Sequence, residues 1–162
     1  MDSEPGRSLI VWTVRLAVAC YCGCLWIRVA RSELKSHRPY RWLWAVSWAF
    51  CLIHVLCAYH FEHHWSQAAA LKHTADLTEK VVGLYWSGGL YINYLFLILW
   101  GADVIRCFQT QRFTGAGMQI AAAFMMFNAT VVFGPRWWLI AFALLALVLS
   151  WTARRRNTIA VQ

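Results

Sequence analysis

Charge is scarce in this chain. Only 14% of its 162 residues are Asp, Glu, Lys or Arg, where a soluble domain carries about a quarter. With 60% hydrophobic residues, eleven tryptophans and a mean hydropathy of +0.48, this scarcity excludes an ordinary water-soluble globule. The chain also lacks a phosphate loop, a G-x-G-x-x-G turn and a G-x-S-x-G elbow. The familiar sequence signals for nucleotide, dinucleotide and α/β-hydrolase chemistry are therefore missing. There is no internal repeat and no low-complexity linker, so residues 1–162 are expected to form a single membrane domain. The net charge of +8 is carried by basic residues beside long apolar runs. That distribution fits membrane topology and anionic headgroups rather than nucleic acid.

Five apolar runs organise the chain. They extend from about Leu9 to Val29, Trp42 to Phe61, Val81 to Ile105, Met118 to Phe133 and Trp137 to Trp151. A helix crosses a bilayer with roughly 20 apolar residues. The expected fold is an all-α integral membrane bundle of about five transmembrane helices, the last two short enough to form either two spans or one re-entrant pair about Gly134-Pro135. Pro39 marks a break in the basic link before Trp42. Asp76 and Glu79 resemble a capping box, which would start the third helix near Val81. The first seven residues, MDSEPGR, are acidic rather than basic, which disfavours a cleaved signal peptide. Ala17-Val18-Ala19-Cys20 matches a lipoprotein box weakly, with Ala where Leu is usual. Five of the six cysteines lie inside apolar runs and Cys107 ends one, so free, apolar-packed thiols are expected rather than a disulfide framework.

The positive-inside rule sets an orientation. With the N-terminus outside, Arg28, Arg31, Lys35, Arg38, Arg41, Arg106, Arg112 and Arg154 to Arg156 fall inside. Only Arg7, Lys72, Lys80 and Arg136 fall outside, and Arg15 lies within the first run. The expectation is an inner cell membrane protein with a cytoplasmic C-terminus. Trp12, Trp42, Trp86, Trp137, Trp138 and Trp151 then lie near the interfaces, as aromatic belts do.

Polar chemistry gathers in one stretch, His54 to Lys80, which holds five of the six histidines and Glu62, Asp76 and Glu79. If the second helix continues past Phe61, His60 and His64 fall about 40° apart at 100° per residue, with His63 and Cys57 flanking them. An i, i+4 histidine pair can hold a metal between two imidazoles. His73 and Asp76 are close enough in sequence to complete the set, and Fe, Cu or Zn suits such ligands. The candidate metal ligands are therefore His60, His63, His64, His73 and Asp76. His54 lies deeper, on a stripe with Ser47, Cys51 and Ala58. It is expected either to hydrogen-bond across a helix interface or to act as an axial haem ligand, with Met125 or Met126 as a conceivable partner. In the third run, Gly88, Gly89, Tyr91, Asn93 and Tyr94 could line the same site. Asp103 and Arg106, at i and i+3, should form a local ion pair.

The string His60-Phe61-Glu62-His63-His64 resembles one histidine box of the membrane fatty-acid desaturases and hydroxylases. In those families several boxes bind two irons that activate oxygen, and the resemblance implies a similar metal role for His60, His63 and His64. It covers only these residues, because no second H-x-x-H-H and no H-x-x-x-H follows. Three functions are open at this level. One is a metal-binding membrane protein at the outer face, in the manner of an oxidoreductase or hydroxylase. Another is a non-enzymatic accessory or scaffold subunit in a homo- or hetero-oligomer. The third is a copper or zinc handling protein. The lipid bilayer is the partner common to all three.

Overall fold

The computed structural model describes residues 4–30, 38–132 and 134–160, with side chains from 5 to 155 within those ranges. Most of the basic link, including Arg31, Lys35 and His37, lies outside the described residues. Six α-helices follow one another: α1 (Glu4–Ala30), α2 (Arg38–Phe61), α3 (Gln67–Val82), α4 (Gly89–Thr110), α5 (Ala116–Phe127) and α6 (Trp137–Ala160). A π-helical turn, Asn128–Val132, extends α5. No strand occurs among the described residues. Four helices (α1, α2, α4 and α6) are long and apolar enough to cross a membrane, while Ala116–Val132 is apolar but shorter. The protein is an all-α integral membrane bundle.

Lipid is as apolar as leucine, so helices in a bilayer associate through close packing and hydrogen bonds rather than through the hydrophobic effect. The antiparallel α1–α2 hairpin shows both. Small residues bring the backbones together, and the Ser47 hydroxyl donates to the Ala17 carbonyl at 2.7 Å. Two turns further along, His54 Nδ1 meets the Ile10 carbonyl at 2.9 Å. Ser47 and His54 therefore both bond across the interface that their shared stripe predicts. Pro39 falls in the first turn of α2, where its missing N–H has no helical partner to lose. It opens the helix instead of breaking it, so α2 begins four residues before Trp42.

The core lies where α1, α2, α4 and α5 meet. Trp44 and Trp100 are fully buried, with ring centroids 4.9 Å apart. Trp48 Nε1 donates to the Leu97 carbonyl at 3.0 Å. A Cβ at position 101 would come within 3.0 Å of the Trp48 ring, so Gly101 permits this approach. By contrast, Trp12, Trp42, Trp86, Trp137 and Trp151 are all exposed, as interface tryptophans should be. Arg15, inside the first span, stacks over the rings of Trp12 and Trp137 at 5.1 and 5.7 Å, which joins α1 to the start of α6.

At the basic end, Asp103 forms the expected ion pair with Arg106 at 2.7 Å. The same carboxylate also accepts from Trp44 Nε1 at 3.1 Å, from the Thr114 hydroxyl and from the Cys107 thiol at 3.6 Å. The link after α4 is pinned by arginines. Arg28 donates to the Thr114 carbonyl at 2.9 Å, Arg106 to the Phe113 carbonyl at 3.3 Å, and Arg41 to the Gln111 side chain. Carbonyls that leave a helix unpaired near a membrane need such donors. Gln119, on α5, bonds both Tyr21 and Tyr40. All six cysteines are free thiols.

Three boundaries differ from expectation. Asp76 and Glu79 cap nothing: α3 starts nine residues before Asp76, where the Ser66 hydroxyl accepts from Ala69 N at 3.2 Å. Three alanines follow this cap and are strong helix formers, so the start lies there. The third span begins at Gly89 rather than Val81. Gly83 ends α3 in the left-handed conformation, φ 77°, and residues 84–88 separate the two helices. The last run is not short, because α6 continues through the arginines to Ala160. The turn before α6 depends on Gly134, whose position a Cβ would drive into the Thr130 carbonyl.

Asp103→Ala should leave Trp44, Thr114 and Arg106 without their shared acceptor. Losing a hydrogen bond to a charged group costs about 2 kcal/mol, so thermal unfolding in detergent should shift clearly downward. Lys72→Ala, which removes an exposed i, i+4 partner of Asp76, should leave the transition in place.

Candidate functional site at the histidine end

The chain reverses as α2 ends. Glu62 N and His63 N both turn back to the Ala58 carbonyl, at 3.0 and 3.2 Å. His64 and Trp65 take left-handed backbone angles, φ 47° and 62°. The helix therefore stops after His54 and His60, and His64 does not continue the helical face that carries His60. His64 is exposed. His60 is exposed too, and its Nδ1 accepts from Trp65 Nε1 at 3.2 Å. Asp76 pairs with Lys72 at 3.0 Å. Cys57, half-buried, lies outside the chamber described below.

The reversal brings a different pair together. His63, at the turn, and His73, on α3, stand with ring centroids 5.3 Å apart. Tyr59 approaches His63 edge-on at 5.8 Å. His63, His73 and Glu62 all face a chamber of about 550 Å3, a size typical of small-molecule sites. Ile10 and Val14 of α1, Val55 of α2, Leu77 of α3, Leu90 of α4 and Phe124 and Met125 of α5 supply its apolar walls. His54, Asn93, Tyr94 and Asn128 add polar groups among them. Among the described residues, no three His, Cys, Asp or Glu side chains converge as a metal ion would require. His63 and His73 are thus a two-imidazole pair that a further ligand would have to complete.

Helix α3 forms one side of the chamber. Its Thr74, Leu77 and Thr78 recur at helical spacing and face inward. Lys72, Glu79 and Lys80 are exposed. Its two ends carry exposed apolar residues, Trp65 before it and Val82, Leu84, Tyr85 and Trp86 after it. This is the pattern of amphipathic helices that lie along a membrane interface. A triad of polar groups fastens it to the spans: the Tyr59 and Tyr94 hydroxyls meet each other and the Gln67 side-chain oxygen, one hydroxyl donating to the other and the second donating to Gln67. Tyr59 and Gln67 were not legible as site residues. The signal that exposes them is the Ser66 cap, which places a helix across this end of the bundle.

His54 lines the inner part of the same chamber. The Ile10 carbonyl can only accept, so His54 donates to it from Nδ1. In the neutral ring, Nε2 then carries a lone pair. Met125, the proposed haem partner, also lines the chamber, whereas Met126 is packed into the core.

Desolvation, then the neighbouring His73, holds His63 below the usual imidazole range, with Glu62 acting in the opposite sense and His64 adding to the decrease. Comparison with protein-family models, curated proteins and solved structures gives no match.

A depressed value means that His63 takes a proton more readily when α3 is undocked. Docking is therefore fully favoured above about pH 6.5 and weakens as pH falls from there through the lower docked value. One proton linked in this way changes the docking equilibrium by at most about tenfold per pH unit. Hydrogen exchange of α3 amides at pH 7.5 and 5.5, corrected for intrinsic rates, should show this loss of protection. In His63→Gln the difference should shrink.

Proposed function

We propose that this protein binds a lipid-soluble small molecule in the chamber at the histidine end. The observation that carries the reading is the chamber's construction. Side chains from α1, α2, α4 and α5 give it an apolar interior, and the turn and α3 give it a polar mouth with His63, His73 and Glu62. A molecule dissolved in the bilayer would place its apolar body between the spans and a polar end at that mouth. The charge distribution supports an orientation with this end outside and the C-terminus in the cytoplasm of a cell with an inner membrane. A fluorescent protein fused at the C-terminus should then fluoresce, and alkaline phosphatase fused there should stay inactive.

A second reading concerns a transition metal. The His63–His73 pair supports it, with Glu62 at the same mouth and the bound molecule completing the coordination. Such a site suits metal handling or oxygen chemistry on the bound molecule. A haem held by His54 and Met125 is a separate cofactor reading, supported by both residues lining one chamber.

One set of measurements separates these readings. Protein purified in mild detergent should carry a co-purifying lipid in native mass spectra. Tyr94→Phe, which loosens the fastening of α3, should lower that occupancy several-fold. Under the metal reading, Fe, Cu or Zn bound in stoichiometric amount is lost in a His63→Ala, His73→Ala double variant and kept in a His60→Ala, His64→Ala variant. A Soret band lost in His54→Ala would mark haem. A protein that carries no lipid, metal or chromophore would overturn all three.

A further inference from the structure

The chamber's polar surface is unequal in hydrogen-bonding sense. His54 uses its Nδ1 proton on the Ile10 carbonyl at 2.9 Å, so its neutral ring offers Nε2 as an acceptor. Thr74 donates its hydroxyl proton to the Ala70 carbonyl at 2.9 Å, and Thr78 donates to the Thr74 carbonyl at 2.7 Å. Both therefore offer the chamber only oxygen lone pairs. Asn128 commits one amide N–H to the Phe124 carbonyl at 2.8 Å and keeps its second N–H and Oδ1. The Tyr59 and Tyr94 hydroxyls are engaged with each other and with Gln67. At His54, Thr74 and Thr78 the chamber thus meets lone pairs, their protons being spent on neighbouring carbonyls, while Asn93, Asn128 and the Trp86 indole bring N–H donors to its other walls. The acceptor on α2 is His54 Nε2.

The π turn matters to this count. It begins at Asn128, and both Asn128 and Ala129 line the chamber. Such turns widen a helix locally and often occur beside functional sites. Here the widening coincides with an amide oxygen on the wall that faces α2.

We propose that the chamber selects an uncharged lipid-soluble alcohol or phenol, whose hydroxyl donates to His54 Nε2. This deepens the proposed function and rests on the chamber being a ligand site. The chemistry discriminates sharply. A ketone, ester or ether sets lone pair against lone pair at Nε2. A carboxylate does the same and also brings an unpaired charge among apolar walls. A hydroxyl alone supplies the missing proton and stays neutral.

The test uses a matched series with one C20 prenyl tail: geranylgeraniol, its methyl ether and geranylgeranoic acid. Full-length protein in nanodiscs is titrated with tritiated geranylgeraniol, and the other two compete. The expected result is that the alcohol binds about tenfold more tightly than the ether, the worth of one neutral hydrogen bond, with the acid weaker than the alcohol. In His54→Leu, alcohol and ether should bind within about twofold of each other. Equal binding of alcohol and ether to the native protein overturns this inference and leaves the chamber a ligand site. Failure of all three to bind overturns both. If His54→Leu does not fold, native protein labelled with 15N-histidine decides. The His54 Nε2 resonance should move when the alcohol is added and stay fixed with the ether, and an unmoved resonance overturns the assignment.

Discussion

Inside a bilayer no solvent is available to finish an incomplete hydrogen bond. That constraint governs this structure more than any single apolar contact does. The Asp103 carboxylate is its clearest expression. Donors from α2, from α4 itself and from the link before α5 meet on one group. Three arginines then occupy carbonyls and an amide along that link. The basic end is closed by matched polar partners, and it fixes how α2, α4 and α5 stand to one another.

The opposite end is built differently. Among the described residues no carboxylate gathers the helices there. The spans part far enough to leave a chamber, and α3 covers it through the tyrosine–glutamine triad and packing of its apolar face. The bundle is firm where its polar groups satisfy each other and open where α2 and α4 are joined through an interfacial helix. That difference places the ligand-sized space at the histidine end.

Much of the fold was legible in the sequence because length and apolarity suffice to mark spans. The four long helices, the Asp103–Arg106 pair, the unpaired cysteines and the exposed belt tryptophans all follow from composition and spacing. The start of α3 was less visible, although Ser66 before three alanines is a usable signal. Asp76-x-x-Glu79 offered a competing cap that the fold does not use. The end of α2 was the costliest error. His64 and Trp65 adopt left-handed angles without glycine, and nothing in their identities announces it. Continuing the helix by one turn pairs His60 with His64, while stopping it pairs His63 with His73. His54, His63, His73, Asn93 and Tyr94 could therefore be singled out from the chain, but their partnerships could not, because they turn on two backbone torsions.

The short fifth apolar segment has a consequence for the surrounding lipid. Ala116–Val132 holds 17 residues, about 25 Å of helix at 1.5 Å per residue, against a hydrocarbon thickness near 30 Å. The 27 residues of α1 give about 40 Å. The protein thus presents unequal hydrophobic heights around its perimeter. A bilayer that met both along their full length would have to shorten its chains beside α5, at a fraction of a kcal/mol per Å of mismatch. Since α5 is also a wall of the chamber, that mismatch would fall next to it.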